Sequence, residues 1–326
     1  MERPVIVAAR RTAVGRFQGG LSSIPASKLG AEVIKDIIAQ TKIDPNEIDE
    51  VLMGHVLQAG QGQNTARQAA VWGGVPTDKA AMTVNKVCGS GLKTVMLAAQ
   101  AIKLGDANVI IAGGMENMTA TPYLLYDARG GYRLGNGKLV DGMVNDGLWD
   151  IYNDFHMGNT GELVAEKYKI SREEQDQYAL GSQQKAASAI ERGDFKDEIV
   201  PVAVPQRKKD PIIVDTDEGP RADTTIEGLA KLRPAFKKDG TVTPGNASTI
   251  NDGAAAVLVM SETKAKELGL DILAYIDGYA VGGRDPEWVM MAPVEAVKNL
   301  MAKTGEKIDD YEVVELNEAF SVQALA

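Results

Sequence analysis

The chain has 326 residues, of which 44% are hydrophobic and only 5% aromatic, and its formal net charge is -10 at pH 7. This length is enough for one large domain or two moderate ones, and the many Gly, Ala, Val and Ile residues favour packed α/β layers over an antiparallel β-sandwich. The acidic balance argues against a nucleic-acid or acidic-membrane surface, because phosphate binding needs clustered Lys and Arg. An anionic ligand would therefore need a local basic patch.

Cysteine and histidine are scarce in this sequence. The only cysteine, Cys88, rules out an intramolecular disulfide and a cysteine-based metal cluster, and His55 and His156 are too few to complete a zinc site. No apolar run approaches the ~20 residues needed to span a bilayer, and the N-terminus shows neither an apolar signal region nor an Arg-rich presequence. These features predict a soluble cytoplasmic protein without a metal.

The first 120 residues predict an N-terminal α/β half, because strand-like apolar runs alternate with segments of helical period. The predicted strands lie at 5–7, 51–53, 83–87 and 108–112, and the predicted helices at 26–40 and 90–104.

Residues 121–250 break that order with Gly-rich, charged and Pro-bearing segments, and we interpret them as a loop domain that carries binding loops. Two helices are predicted there, at 161–168 and 171–192. The start of the second is well specified, because Ser171 and Glu174 form a capping box.

The α/β order returns over residues 251–326, which predict a partial C-terminal half. The predicted elements are strands at 254–260 and 275–281, a helix at 261–268 and an amphipathic helix that begins near Glu318. The segments at 42–52 and 307–314 resemble each other, and each is predicted to be a helix end that leads into a strand, at 50–52 and at 312–314. This resemblance favours two copies of one α/β unit. The last helix has no Gly, Asn or cationic last turn, so we expect a truncated C-terminus.

The strongest chemical signal is the segment Val-Cys-Gly-Ser-Gly-Leu-Lys at residues 87–93, which places Cys88 at a predicted strand-to-helix junction. Backbone N–H groups at a helix N-terminus stabilise an anion, so we expect a lowered pKa for Cys88 and a thiolate ready to attack a carbonyl. The glycines would let an acyl group approach the backbone. The alternative is an inert cysteine buried among small residues.

This segment resembles the nucleophile segment of the thiolase family, and the resemblance extends from the first residues of the chain to the last. The other segments that carry it are Val-Ala-Ala-Arg-Arg-Thr at 7–12, Asn-Thr-Ala-Arg-Gln at 64–68, Gly-Gly-Met-Glu-Asn-Met at 113–118, Ile-Ser-Arg-Glu-Glu-Gln-Asp at 170–176 and Asn-Asp-Gly-Ala-Ala at 251–255. The resemblance implies the thiolase fold, an α/β fold layered α-β-α-β-α from two related halves, of which the second half is incomplete here.

The resemblance also implies an acyltransferase of the acetyl-CoA acetyltransferase kind. Such an enzyme carries out the reversible Claisen condensation of two acetyl-CoA molecules to acetoacetyl-CoA and CoA, through an acetyl-Cys88 intermediate. The CoA thioester is the substrate, and no separate cofactor is implied. Two alternatives stay open: a degradative thiolase that acts on longer 3-ketoacyl-CoA, and a catalytically impaired fragment that binds CoA. A ketoacyl synthase-like enzyme shares the fold but does not match the segments after Cys88.

The second catalytic element is Glu-Leu-Asn-Glu-Ala-Phe at residues 315–320, which is similar to the family's Asn-Glu-Ala-Phe motif. By resemblance, the Asn317 side chain holds a water molecule that helps to form an oxyanion hole. Removal of one oxyanion donor elsewhere costs on the order of 3 kcal/mol. A simpler interpretation of Asn317 is a helix N-cap, and both roles can coexist.

The same resemblance assigns substrate contacts in the insertion loops and beside Asn317. Leu148, His156 and Met157 match the acyl and pantetheine channel, Arg221 and Phe236 the surroundings of the CoA nucleotide, and Ala247 and Ser248 a pantetheine-binding turn; Ala319 and Phe320 complete the set. Independently of the family, residues 205–238 hold eight Lys or Arg against six Asp or Glu, a basic stretch in an acidic chain. His55 lies in no functional motif, and we expect it to be structural.

Residues 130–137, Gly-Gly-Tyr-Arg-Leu-Gly-Asn-Gly, resemble the loop through which biosynthetic thiolases form tetramers. On its own, this loop would be a flexible Gly-rich hairpin. The resemblance therefore implies a homotetramer whose ligands are acetyl-CoA and acetoacetyl-CoA.

The sequence departs from the thiolase pattern in two respects. It contains neither the Gly-His-Pro motif, whose His activates the nucleophile, nor the Cys-x-Gly motif, whose Cys moves the substrate proton. In addition, Val-Met-Met-Ala-Pro at 289–293 replaces a Met-Gly-x-Gly-Pro pattern. We therefore expect this chain to turn over poorly or not at all, and normal acetoacetyl-CoA thiolysis by the purified chain would contradict that expectation.

Overall fold

The computed structural model describes all residues from 1 to 326. The chain groups into two compact units. The first comprises residues 1–147, 195–219 and 250–277, and the second comprises 148–194, 220–249 and 278–326. The three-part division at residues 120 and 250 stays a prediction. None of the helices combines the length and the apolar character that crossing a membrane requires.

Fourteen strands are present. In chain order they are β1 (Pro4–Thr12), β2 (Gly15–Arg16), β3 (Glu50–Gly54), β4 (Ala80–Val84), β5 (Val109–Asn117), β6 (Tyr123–Leu124), β7 (Val140–Asp141), β8 (Trp149–Asp150), β9 (Phe155–His156), β10 (Ile199–Val200), β11 (Val202–Gln206), β12 (Lys209–Val214), β13 (Asn251–Ser261) and β14 (Ala274–Tyr275).

Nine α-helices accompany the strands. They are α1 (Ala26–Thr41), α2 (Thr65–Trp72), α3 (Ser90–Leu104), α4 (Met157–Tyr168), α5 (Arg172–Arg192), α6 (Ile226–Ala230), α7 (Glu262–Glu267), α8 (Ala292–Thr304) and α9 (Ser321–Leu325). Shorter helical turns lie at Pro45–Glu47, Tyr126–Arg129, Val144–Leu148, Pro286–Met291 and Ile308–Asp310.

The first unit is built on a mixed sheet with the strand order β10-β1-β13-β5-β3-β4. Strand β13 runs antiparallel to both β1 and β5, whereas β3 runs parallel to β5 and to β4. Strands β14 and β2 add short pairings to β1 and β13. Strand β4 therefore lies at one edge of this sheet, and the turn that follows it leads to Cys88.

The central strands are buried on both faces, which explains their continuous apolar sequences. On β3, Val51 and Met53 pack with α1 and α2, while Leu52 between them packs with α3. Strand β5 alternates in the same way over residues 109–112. Because successive side chains of a strand point to opposite faces, helices must cover both sides of the sheet.

The second unit has a smaller core formed by α4, α9 and the loops between them. Its buried apolar side chains are Val164, Ala165, Val242, Met291, Phe320 and Val322. Helix α5 begins with the predicted capping box: Glu174 N–H donates to Ser171 Oγ, and Ser171 N–H donates to the Glu174 carboxylate. The start of α5 is thereby confirmed.

Several predicted boundaries are wrong. The strand predicted at 83–87 ends at Val84, because the backbone enters the left-handed region at Val87. The strand predicted at 275–281 shrinks to Ala274–Tyr275. The terminal helix begins at Ser321 rather than near Glu318, and residues 312–317 pair with no strand. The misses at 275–281 and 312–320 share a cause, since both depend on a tertiary partner that local sequence does not specify.

Candidate active site

Cys88 lies on a tight turn between β4 and α3. Val87 has a φ of 46°, a strained value for a β-branched residue. The Ser90 hydroxyl holds this turn closed, because it accepts the Lys86 N–H at 2.8 Å and donates to the Val87 carbonyl. Cys88 itself is exposed. The turn leaves the Cys88 side chain at the surface instead of packing it into a core, which contradicts the alternative of a buried, inert cysteine.

Glycines allow α3 to approach the sheet closely beside Cys88. A Cβ atom on Gly54 of β3 would lie 2.7 Å from the Gly91 nitrogen, and one on Gly114 of β5 would lie 3.3 Å from the Gly91 Cα. Any side chain at Gly54 would push the first turn of α3 away from the sheet. The approach of an acyl group at Gly89 and Gly91, the glycines that follow Cys88, stays a prediction. The contacts show that Gly91 serves helix–sheet packing.

The expected lowering of the Cys88 pKa is wrong. Its pKa lies above the ordinary value, first because the surrounding protein removes water from the sulfur, although part of the residue reaches solvent, and also because the Glu116 carboxylate repels a thiolate. A backbone hydrogen bond acts in the opposite direction but is the weaker influence. The thiol therefore holds its proton at neutral pH, so attack on a carbonyl requires a base.

Glu116 is held in place by the segment after β3. Its carboxylate accepts the N–H groups of Val56 and Leu57 at 2.9 and 3.2 Å. His55 is fully buried beside it, with Nδ1 2.8 Å from Thr65 Oγ1 and Nε2 3.1 Å from Glu116 Oε1. The second contact is close but misaligned, so Nε2 makes no hydrogen bond. Sequence reasoning missed the effect of Glu116 on the pKa of Cys88, although Glu116 lies in the segment 113–118 that carries the resemblance.

The second unit brings together three aromatic residues from the predicted substrate set. The His156 ring stacks on Phe236 with centroids 4.7 Å apart, and Phe236 meets Phe320 edge to face at 6.4 Å. His156 Nδ1 accepts the N–H of Gly158 at 3.0 Å, which makes this nitrogen the unprotonated one and leaves Nε2–H as a donor. Burial lowers the pKa of His156, so the ring is neutral at pH 7.

The predicted pantetheine-binding turn lies against the Asn-Glu-Ala-Phe motif. Ala247 and Phe320 form an antiparallel bridge, and Ser248 N–H donates to the Ala319 carbonyl at 3.0 Å. Asn246, the residue before this turn, fixes it by hydrogen bonds. Its side chain accepts the Thr243 N–H at 2.8 Å and donates to Asp176 Oδ1 at 2.9 Å. The structure thus brings four of the predicted contact residues together: Ala247, Ser248, Ala319 and Phe320.

Two buried carboxylates support this turn, and sequence reasoning missed both. Asp176 pairs with Arg172 at 2.7 Å on α5. Glu162 on α4 accepts the N–H groups of Thr241 and Val242 at 2.8 to 2.9 Å. Charged side chains are almost never buried without partners. The available signal was the position of both acids on the inward faces of predicted helices.

Asn317 lies in an extended, exposed segment, and its side chain makes no hydrogen bond within the protein. The simpler interpretation as a helix N-cap is wrong, because α9 begins at Ser321 and Phe320 occupies the N-cap position. The Asn317 amide is exposed, and its role in an oxyanion hole stays a prediction.

The remaining predicted contacts are more scattered. Leu148 ends the helical turn Val144–Leu148, and Met157 is the first residue of α4. Arg221 is exposed and is fixed through its backbone, whose N–H donates to Gln183 Oε1 at 2.7 Å. No contact links Arg221 to the aromatic residues. The basic stretch at 205–238 is divided between the two units at residue 219, so it does not form one patch within either unit.

Comparison with known proteins gives a consistent result over the whole chain. Residues 4–263 match the family model described as thiolase, N-terminal domain, and residues 270–326 match thiolase, C-terminal domain. An acetyl-CoA acetyltransferase from Pseudomonas aeruginosa is 58% identical over all of this chain and 83% of its own length. A probable acetyl-CoA acyltransferase from Staphylococcus aureus is 54% identical over the same shares. The crystal structure of the Bacillus anthracis acetyl-CoA acetyltransferase superposes with a TM-score of 0.97 at 42% identity, covering 100% of this chain and 82% of that one.

The raised pKa of Cys88 predicts slow alkylation. Because burial and Glu116 both disfavour the thiolate, the iodoacetamide rate at pH 7.5 should fall below that of a free thiol and should rise only above the ordinary pKa of cysteine. Replacement of Glu116 by Gln should move this profile to lower pH, whereas Asp78→Asn, at an exposed acid, should leave it unchanged. A wild-type profile centred below that of a free thiol would contradict the prediction.

Gly158 is predicted to be intolerant of any side chain. A Cβ atom there would lie 2.2 Å from the Phe236 ring, so Gly158→Ala must displace the ring and should lower the free energy of unfolding by about 1–3 kcal/mol. The matched control is Gly181→Ala on α5, where a Cβ would meet nothing within 4 Å. That variant should gain about 0.5–1 kcal/mol, because Ala favours a helix interior. Urea denaturation measures both, and equal effects would refute the packing argument.

Proposed function

This chain belongs to the thiolase family, and from that premise we propose that its reaction is the reversible Claisen condensation of two acetyl-CoA molecules to acetoacetyl-CoA and CoA, with slow turnover because the 326 residues contain neither a Gly-His-Pro nor a Cys-x-Gly motif. The observation that carries the proposal is the strained turn that exposes Cys88 at the start of α3. No other cysteine is present to serve as an acyl acceptor. The names of the relatives from P. aeruginosa and B. anthracis support acetyl-CoA as the substrate.

The first half-reaction transfers an acetyl group to sulfur. Cys88 Sγ attacks the thioester carbonyl, the new S–C bond forms, and the bond to CoA breaks. The proton that leaves Cys88 ends on the departing CoA thiolate. Because the pKa of Cys88 is raised by burial and by Glu116, a base must take this proton as the sulfur attacks.

The second half-reaction forms the carbon–carbon bond. A second acetyl-CoA loses an α-proton to a base, and its carbanion attacks the acetyl-Cys88 carbonyl. The bond from that carbonyl carbon to Cys88 sulfur breaks, and the leaving thiolate takes up the proton from the base. Each half-reaction develops negative charge on a carbonyl oxygen, and stabilisation of that charge is usually the largest catalytic contribution. We assign a share of it to a water molecule held by Asn317, whose amide is free to bind one.

The second unit is proposed to hold the acyl-CoA. His156, neutral and with Nε2–H available, can donate to a carbonyl oxygen. Phe236 and Phe320 offer apolar walls beside the turn at Ala247 and Ser248. Leu148, Met157 and Ala319 add to these walls, and Arg221 is proposed to bind the CoA nucleotide through its guanidinium group.

Two further features of the family are proposals for this chain. A homotetramer is supported by the exposed apolar side chains around the loop at 130–137, which include Tyr126, Leu134 and Leu139. Contiguous exposed apolar surface often marks an association site. A cytoplasmic location is supported by the single free thiol, which suits a reducing compartment.

Formation of acetyl-Cys88 tests the proposal directly. The purified chain is incubated with acetyl-CoA, and intact mass followed by peptide mapping should show one acetyl group on Cys88. Cys88→Ser should abolish the label. Hexanoyl-CoA in a parallel sample tests the alternative of a long-chain thiolase, which predicts faster labelling by the longer acyl group. A chain whose Cys88 reacts with iodoacetamide but never with acetyl-CoA would overturn the proposed function and leave only CoA binding.

A further inference from the structure

We propose that Tyr178 and Ser182 are positioning residues, which hold the Asn317 segment in place by binding both carboxylate oxygens of Glu318. This inference deepens the proposed function and rests on it for its catalytic consequence. Neither hydroxyl belongs to the nucleophile turn or to the predicted substrate contacts. Their effect on acyl transfer would therefore be exerted through Glu318 and its neighbour Asn317.

The geometry is a two-point attachment. The Tyr178 hydroxyl donates to Glu318 Oε1 at 2.8 Å, and the Ser182 hydroxyl donates to Oε2 at 2.6 Å. The two donors lie four residues apart and therefore on the same face of α5. Two hydrogen bonds to two oxygens fix both the position and the orientation of a carboxylate, and such charge-assisted bonds are stronger than neutral ones.

The segment before Glu318 needs an attachment of this kind. Residues 312–317 join no sheet, and Val313 and Val314 are 77% and 63% exposed. Asn317 forms no side-chain hydrogen bond that could hold it. Support on the C-terminal side begins at Ala319, whose carbonyl accepts the Ser248 N–H. Glu318 is thus the only residue from 312 to 318 whose side chain is tied to a helix.

Helix α5 is a suitable platform for this attachment. It has 21 residues, begins with a complete capping box and ends at Gly193 in the left-handed conformation. Burial, together with the hydrogen bond and charge of Glu318, raises the pKa of Tyr178 to about 12. The hydroxyl therefore keeps its proton, and remains a donor, at any pH at which the enzyme would work. Precise sites are held more firmly by regular elements than by loops.

A purely structural role for these hydroxyls would have a different signature. It would lower stability, or acyl-CoA affinity, without a specific effect on the chemical step. A positioning role predicts a loss in the rate of acyl transfer at saturating acetyl-CoA, because Asn317 would sample positions from which its water cannot reach the oxyanion. A misplacement of about 1 Å can cost up to about a hundredfold in rate.

The test compares two double variants by the initial rate of acetyl-Cys88 formation. Tyr178→Phe with Ser182→Ala removes both hydroxyls that bind Glu318. The control, Tyr168→Phe with Ser188→Ala, removes one tyrosine and one serine hydroxyl from α4 and α5 that do not contact Glu318. We expect the first pair to lower the saturated rate about tenfold with an unchanged half-saturating concentration, and the control to stay within about twofold. An equal loss in both pairs, or none in the first, would overturn the proposal.

Glu318 itself supplies the second measurement. Glu318→Gln keeps one acceptor oxygen and should retain part of the rate, whereas Glu318→Ala should behave like the double variant. Hydrogen exchange over residues 312–320 should accelerate when the attachment is removed, and unchanged exchange would also overturn the proposal. If the unsubstituted chain forms no acetyl-Cys88, the proposed function fails separately, and accelerated exchange would still establish the attachment.

Discussion

The close approach of α3 to its sheet is the constraint on which the candidate chemistry depends. Gly54, Gly91 and Gly114 remove the side chains that would otherwise separate helix and strands. Only residues 85–89 connect β4 to α3, and this short connection includes the left-handed backbone of Val87. Cys88 is exposed as a result of packing, and no separate device is needed to present it.

The same packing has an electrostatic consequence that opposes simple activation. A sulfur placed against a dense helix–sheet junction loses water, and Glu116 adds a negative charge from β5. These two effects outweigh the hydrogen bond from the backbone of Cys88 itself, which lowers the pKa. The resulting thiol is a poor nucleophile on its own, which protects it from indiscriminate alkylation. It becomes reactive only where a base and hydrogen-bond donors to the developing oxyanion are supplied together.

Local sequence was sufficient wherever an element is defined by its own residues. Helix α3 was predicted over the observed range, and the start of α5 followed from Ser171 and Glu174. The buried strands were visible as apolar runs because both of their faces are covered. Sequence failed where the outcome depends on residues distant along the chain. The pKa of Cys88 depends first on its burial by the surrounding protein and also on Glu116, and the unpaired segment at 312–317 depends on a strand partner that local pattern cannot supply.

The loops of the second unit share one mode of support, which gives the acidic composition a structural role. Glu162 binds the backbone at residues 241–242, Asp176 binds Asn246, and Glu318 binds α5. In each case the carboxylate accepts hydrogen bonds from two or more donors and uses both of its oxygens. These acids are consumed by internal hydrogen bonds. A net charge of -10 is therefore compatible with the proposed binding of an anionic thioester by these loops, because part of the negative charge is directed at the protein's own donors.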